Sequence, residues 1–385
     1  MLNICVLTPN SVAAEGIEQL TEGSGVFKLV FKRPPEPVHE IIRAIRTESP
    51  VLVLLDVADW VRVEPLAVHI KSTNEHPVLI GFAPSWTPSE EHQFAEAGIR
   101  DMLRDPFSAQ ELEAVAYEAL HRDRPVSNNN ILAFLPAKAG GGCSTVALNT
   151  AAALANTLSK KVLLVDADRR SGVLSILLNL GDRPGLSDAL QGAPELTLLE
   201  WRRMCHRVLG LDVLAANPLR PGPLPSWSDF YQLLRFLQNQ YDYVFFDLPE
   251  LVNQATAEIV RSARAIFIVC TPEVPSLRMA SQRSLELRNC EIPSEKIHIV
   301  LNRWERGGLK VQDVEKTLNH PVFAALPNDY RQVKKAILES RVVSQESAFA
   351  NSCQLFAQQV SGLSGPSHDR FTFALLKKLW SHGSG

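Results

Sequence analysis

The sequence has little that would tie it to a membrane, an oxidising compartment or a polyanion. No apolar run approaches the roughly 20 residues that a membrane-spanning helix needs. The six cysteines (Cys5, Cys143, Cys205, Cys270, Cys290, Cys353) are scattered, with neither disulfide-framework nor metal-ligand spacing. They read as reduced thiols, most of them buried, in a cytosolic protein. Neither sign of charge dominates. A net charge of −3 supplies no general attraction to nucleic acid, which is not an expected partner, although a local patch would escape this argument. There is no internal repeat and no low-complexity tract. The first residues run straight into a strand-like segment, so no signal peptide is expected.

What is present is core material. With 385 residues, 45% hydrophobic and 21% charged, the chain is too long for one ordinary domain and too apolar for disorder. Apolar runs at residues 4–7, 27–31, 51–55 and 78–82, with a shorter one at 102–103, read as buried parallel strands. Helical patterns at 12–20, 38–46, 61–70, 90–97 and 109–121 separate them. These βα units fit a small doubly wound α/β domain over residues 1–122. The polar, Pro/Asn-rich residues 123–130 read as a linker. A second domain, 131–385, has strand runs at 131–134, 161–165, 211–214, 243–246, 265–269 and 297–301. The expected fold class is therefore α/β, two doubly wound parallel-sheet domains. Pro218 to Pro225 is proline-rich and reads as a surface loop before a helix over 227–238.

The strand at 131–136 is followed by Ala137-Lys138-Ala139-Gly140-Gly141-Gly142-Cys143-Ser144-Thr145 and then an Ala-rich helix. Strand, glycine-rich turn, hydroxyl pair and helix form the layout of a phosphate-binding loop, in which backbone N–H groups and a helix N-terminus hold phosphates. The lysine that ordinarily precedes the hydroxyl is absent: Cys143 stands there, while Lys138 opens the loop. Cys143 reads as a small loop residue; as a nucleophile it would need a base, and the sequence places none beside it. Next come Val165-Asp166-Ala167-Asp168 and Phe245-Phe246-Asp247-Leu248-Pro249. Carboxylates at strand ends beside such a loop suit Mg²⁺ and the orientation of water.

In this order the motifs resemble the deviant Walker-A ATPases, the MinD/ParA superfamily, over about residues 130–362. The resemblance implies ATP and Mg²⁺ as cofactors and a homodimer that sandwiches the nucleotide. Lys138 would reach the partner's phosphates, and Asp168 would orient the attacking water. Ser144, Asp166 and Asp247 would serve the metal. Gly140, Gly141, Gly142, Cys143, Ser144 and Thr145 would line the phosphates. Asn302 and Arg303, with Thr271-Pro272-Glu273 and the Pro327 loop, would lie near the base; Asn302 also reads as a plain turn residue.

In the first domain, Val51 to Asp56 resembles the phospho-acceptor strand of a response-regulator receiver, and Leu103 to Ser108 resembles its last conserved loop. Receiver chemistry needs an acidic pair after strand one, and Thr8-Pro9-Asn10 stands there instead. The usual lysine of the last loop is Asp105. The hydroxyl expected after strand four is replaced by Phe82 or Ala83. Asp56 then reads as a strand-end residue in a pseudo-receiver that serves for docking or dimerisation.

Pseudo-receiver plus deviant ATPase resembles the CpaE/TadZ group of Tad (Flp) pilus localisation ATPases. That resemblance implies a cytoplasmic scaffold, polar or peripheral at the inner membrane, that recruits the secretion ATPase or other Tad components. Loss of the loop lysine should slow hydrolysis more than binding, because backbone N–H groups, Mg²⁺ and the helix dipole remain. At the C-terminus Phe371, Leu375 and Leu379 share one helical face beside Arg370, Lys377 and Lys378. This reads either as an amphipathic membrane contact or as a helix packed on its own domain. A ParA-like DNA or cargo partitioning ATPase is the alternative function. A tyrosine kinase of the same superfamily lacks its tail of tyrosines, since the last is Tyr330.

Overall fold

A computed structural model describes residues 1–73, 77–99, 101–122, 130–193, 196–217, 222–238 and 240–362. The segment 123–129, the proline-rich residues 218–221 and the C-terminal amphipathic stretch at 370–385 lie outside the described residues.

The first part of the chain alternates strand and helix. Its strands are β1 (Leu2–Leu7), β2 (Phe27–Arg33), β3 (Leu52–Asp56), β4 (Val78–Ala83) and β5 (Asp101–Arg104). Its helices are α1 (Ser11–Ser24), α2 (Val38–Glu48), α3 (Trp60–Lys71), α4 (Pro88–Glu96) and α5 (Ala109–Arg122). The strands form one parallel sheet in the order β2-β1-β3-β4-β5, one of the two common doubly wound arrangements. β3 is buried along its whole length, as its unbroken apolar run requires when helices cover both faces. On one face pack Ile17 of α1 and Leu112 and Ala116 of α5. On the other pack Ile41, Ile42 and Ile45 of α2, Leu66 and Ile70 of α3 and Phe94 of α4.

The second part builds an eight-stranded sheet. Its strands are β6 (Ile131–Pro136), β7 (Val162–Asp166), β8 (His206–Val208), β9 (Leu211–Leu214), β10 (Tyr243–Asp247), β11 (Ala265–Cys270), β12 (Ile297–Trp304) and β13 (Val322–Pro327). The order is β13-β12-β11-β6-β10-β7-β9-β8, parallel except for the β8–β9 hairpin. Two of these strands are absent from the sequence reading. β8 is three residues long and turns into β9 through Leu209 and Gly210, both at positive φ. Asn-Gly is the usual signature of such a turn, and a leucine there hides it. β13 is an edge strand that ends in proline.

Between and after these strands run α6 (Cys143–Thr157), α7 (Leu174–Leu177), α8 (Leu186–Gly192), α9 (Leu198–Met204), α10 (Trp227–Leu237), α11 (Gln254–Ser262), α12 (Val274–Asn289), α13 (Val311–Leu318), α14 (Tyr330–Leu338) and α15 (Ala348–Ser361). Helix α6 fills the space behind the sheet with Val146, Ala147, Ala151, Leu154 and Ala155. Its alanines let α15 (Ala348–Ser361) approach closely, through Phe356 and Val360. On the other face, α10 (Trp227–Leu237) and α11 (Gln254–Ser262) contribute Phe230, Leu233, Leu234 and Ile259.

α10 and α11 also hold the first sheet. Trp227 and Tyr231 belong to the apolar core on the α1/α5 face. The Trp227 indole donates to Glu113 at 2.7 Å and sits edge-on to Tyr117. The N-terminal ammonium pairs with Asp229 at 3.0 Å, and the Gln232 amide donates to the Met1 carbonyl. The His121 ring meets buried Glu258 at 2.8 Å through Nε2 and the Tyr117 carbonyl at 2.6 Å through Nδ1. A Trp and a Tyr buried against such polar partners make a packed joint between the two sheets.

Candidate functional site

Strand order decides where the chemistry can be. β6 lies between β11 and β10, and β10 lies between β6 and β7. The glycine loop after β6 therefore stands beside the ends of β10 and β7. Asp247 and Asp166, the last residues of those two strands, are direct register partners. Open parallel sheets bind ligands at this carboxyl edge, where neighbouring connections diverge.

The loop conformation depends on glycine. Gly140 and Gly142 have φ of 79° and 86°, a left-handed region costly for residues with a Cβ. A Cβ on Gly142 would also stand 2.5 Å from Nδ2 of Asn302. As the N-cap of α6, Gly142 offers no side-chain acceptor, and the first turn carries no acidic residue. The first N–H groups of α6 thus remain available at the positive end of its dipole, the ordinary design of an anion site.

Other side chains brace the loop. Asn302, 4% exposed at the end of β12, donates to the Gly141 carbonyl at 2.8 Å. Arg303, itself at φ 56°, donates to the Gly140 carbonyl at 2.8 Å. Glu250, just past Asp247, accepts the Ala139 N–H at 2.9 Å and lies 3.6 Å from buried Arg283 of α12 (Val274–Asn289). The Asn149 amide donates to the Thr145 carbonyl at 2.8 Å. Pro327 closes β13 in register with Trp304, and Thr271 is held by the Ser276 hydroxyl at 2.9 Å. Lys138 is exposed, and no hydrogen bond or ion pair engages its ammonium among the described residues.

The carboxylates are unusual. Asp166 is fully buried and accepts the N–H groups of Asp168 at 3.2 Å and Leu174 at 3.1 Å. Burial first, and then the charge of Asp247, push its pKa well above the usual carboxylate range. Burial likewise raises Asp247, against the opposing hydrogen bonds from Ser144 and Cys143. The Cys143 thiol is itself pushed well up, first by burial and then by Asp247, so it stays protonated and donates; it is no thiolate nucleophile. Asp168 accepts from Arg170 at 3.1 Å and Ser171 at 2.9 Å, which folds the loop after β7. Gly172 fits beneath it because a Cβ there would meet both Asp166 oxygens at 2.6 Å.

Two buried carboxylates and one hydroxyl without a countercharge are a hard-oxygen donor set. No group of three or more His, Cys, Asp or Glu side chains at metal spacing occurs among the described residues. Two carboxylates and a hydroxyl at one edge suit Mg²⁺, which takes one or two carboxylates and draws its other ligands from phosphates and water.

Likeness to known proteins falls on this second part. The septum site-determining protein MinD of Thermotoga maritima is 28% identical over 210 residues, covering 52% of this chain and 75% of its own length. A tyrosine-protein kinase of Acinetobacter johnsonii is 27% identical over 196 residues, but the match spans only 24% of that kinase. A ParA family ATPase from Chlorobium tepidum superposes with a TM-score of 0.55 at 23% identity, covering 60% of this chain and 99% of that one. The second part has the fold of the ParA-type P-loop ATPases. MinD of Pyrococcus horikoshii, solved with Mg-ADP, also superposes, with a TM-score of 0.50 at 22% identity over 61% of this chain and 97% of its own. No family model matches the chain.

Within this unit the structure brings Lys138, Gly140, Gly141, Gly142, Cys143, Ser144, Asp166, Asp247, Asn302 and Arg303 around one loop. Thr271 stands just past the end of β11, the strand beside β6, and Pro327 ends β13 at the sheet edge. Sequence reasoning missed Glu250 and Arg283. Arg283 falls on the buried stripe Ser276, Leu277, Ala280, Ser284 and Leu287 of α12. A cation on an apolar stripe is the signal that would have found it.

Proposed function

We propose that the chain is an ATP-binding positioning scaffold of the CpaE/TadZ kind that marks the assembly site of a Tad pilus, with little or no turnover. The observation that carries this reading is the pair Cys143 and Lys138. The slot of the phosphate-neutralising lysine is filled by a thiol bonded to Asp247, whereas the lysine at the loop entrance is exposed. The loop keeps what binding needs and lacks one charge that helps hydrolysis. Ser144, Asp166 and Asp247 would hold Mg²⁺, and Asp168 would orient water. Gly140 to Thr145 would take the phosphates. Asn302, whose Oδ1 is buried with no donor, suits a base amino group, with Arg303 and Pro327 beside it.

A nucleotide-gated homodimer is part of the proposal. The segments that follow β7, β10 and β11 expose Ile176, Leu251 and Val274, at 73%, 67% and 68%, which is the apolar surface a second copy would cover. Residues 1–122 are proposed as a separate pseudo-receiver, supported by the β2-β1-β3-β4-β5 order. Among the described residues no helix is long and apolar enough to cross a membrane. The cytoplasmic, pole- or membrane-associated location and the pilus partners rest on the CpaE/TadZ resemblance. A ParA-like partitioning ATPase remains the second reading, and salt-sensitive DNA retardation by the ATP-bound protein would favour it.

The test compares wild type with Lys138→Ala and Cys143→Lys, using labelled-ATP binding, light scattering and phosphate release. Lys138→Ala should bind ATP yet stay monomeric, and Cys143→Lys should raise steady-state hydrolysis about tenfold or more. Unchanged dimerisation of Lys138→Ala, or wild-type turnover matching Cys143→Lys, overturns the proposal.

A further inference from the structure

The first sheet unit uses its two faces differently. Its α1/α5 face receives Trp227 and Tyr231 from α10. The α2/α3/α4 face packs a separate core to which α10 and α11 contribute nothing, and it is turned away from the second sheet. On this outer face α2 and α3 border a cleft of about 570 Å³ lined by Val38, His39, Ile42, Arg43, Arg46 and His69.

The lining has one sign of charge. His39, Arg43 and Arg46 occupy positions i, i+4 and i+7 of α2, so they stand in one row about 10 Å long. His69 faces them from α3. All four side chains are exposed, and none enters an ion pair among the described residues. The acidic residues of α2 do not neutralise the row. At 100° per residue, Glu40 and Glu48 project from its flank and its far side, and Glu64 of α3 projects well away from His69. The floor is apolar, formed by partly buried Val38 and buried Ile42. Two arginines left unpaired above an apolar floor, with two imidazoles beside them on a face turned away from the second sheet, form a recognition surface.

We propose that this α2/α3 cleft is a docking groove for an acidic amphipathic peptide segment of a partner protein. Carboxylates spaced along one helical face would meet Arg43 and Arg46, with His39 and His69 at the two ends. An apolar side chain between them would cover Ile42. Charge complementarity chooses the occupant, and arginine's planar fork suits carboxylates in particular. A bilayer surface is read instead by clusters of about four to eight Lys/Arg, and the cleft has two arginines and no lysine. A small phosphate site would present main-chain N–H groups, whereas side chains line this cleft. The inference does not depend on nucleotide binding or on the pilus assignment. It makes the first unit an adaptor, fixed to the ATPase fold by one face and presenting the other to a partner.

The experiment uses the full chain and a fluorescein-labelled amphipathic helical peptide with Glu at i, i+4 and i+7 flanking a leucine, followed by anisotropy. The wild type should bind, with affinity falling as salt rises. Arg43→Glu/Arg46→Glu should weaken binding at least tenfold with an unchanged circular dichroism spectrum. The same variant should gain affinity for a peptide carrying Lys in place of Glu, a rescue that a misfolded protein would not show. Equal binding of the acidic peptide by wild type and variant overturns the proposal. So does absence of peptide binding by the wild type, whether or not it binds phosphatidylglycerol vesicles or inorganic phosphate.

Discussion

At the carboxyl edge of the first sheet the surroundings of Asp56 satisfy it. The Thr8 hydroxyl donates to it at 2.6 Å and the Ala58 N–H at 3.1 Å. At the corresponding edge of the second sheet, Asp166 and Asp247 are register partners, both buried, and each is driven toward its protonated form. The two sheets share parallel doubly wound topology, so the fold does not explain the difference. It comes from the residues that follow the first strand of each. After β1 comes Thr8-Pro9-Asn10, in which Asn10 caps α1 with its own side chain. After β6 comes a loop of glycines that leaves the α6 N-terminus without a cap. One edge is locally closed and structural. The other keeps an unneutralised donor set beside an open anion site, the arrangement that calls for a cation and phosphates together.

The strongest way to break this contrast is to close the second loop. Gly142→Ala places a Cβ in the left-handed region and against Nδ2 of Asn302, which cannot retreat without losing its bond to the Gly141 carbonyl. The backbone term costs roughly 1–2 kcal/mol and the displaced hydrogen bond about 1 kcal/mol more. The urea unfolding midpoint should fall accordingly, and affinity for labelled ATP should drop at least tenfold. A variant with wild-type affinity would show that loop geometry does not set the site.

The next change probes the closed edge. Thr8→Val keeps the shape of the side chain but removes the hydroxyl that serves Asp56 and that accepts the Asn10 N–H at 3.0 Å. A hydrogen bond to a carboxylate contributes about 1.5–3 kcal/mol, and the Ala58 N–H remains, so a loss of about 1.5 kcal/mol is expected in equilibrium unfolding. Nucleotide affinity should not change. A fall in affinity would mean that the first edge is coupled to the second through the Trp227 joint.

The contrast was largely legible in the sequence, although unevenly. Continuous apolar runs marked β3, β10 and β11, because a strand covered on both faces must be apolar throughout. The glycine loop and the strand-end aspartates were legible because their chemistry constrains residue type and order together. What bound the parts to one another was not. Trp227 read simply as the start of a helix, and only the tertiary fold carries it into the core of the first sheet. Asn302 read as a residue beside the base, and nothing local showed that its amide also donates to the Gly141 carbonyl, a contact set by the register of β12 against β11. Glu250 had no local signature, since its contacts with Ala139 and Arg283 join residues more than 30 positions apart. Chemistry confined to one loop is written locally, whereas bracing across strands is not.

Glu250 offers the finest test of the open edge. Its carboxylate accepts an N–H of the phosphate loop while lying 3.6 Å from Arg283, so one negative charge already sits on the loop that would receive phosphates. Glu250→Gln retains an oxygen acceptor for Ala139 and removes the charge. Arg283 keeps Glu286 at 2.6 Å, so the change should cost less than about 1 kcal/mol of stability. Two like charges near a partly exposed loop repel by a fraction of a kcal/mol to about 1 kcal/mol, depending on separation and screening. ATP affinity should therefore rise about threefold, with the gain shrinking as salt is added. Weaker binding in the variant would reverse the assignment and make Glu250 a support of the binding conformation, held in place by Arg283, rather than a charge that opposes the phosphates.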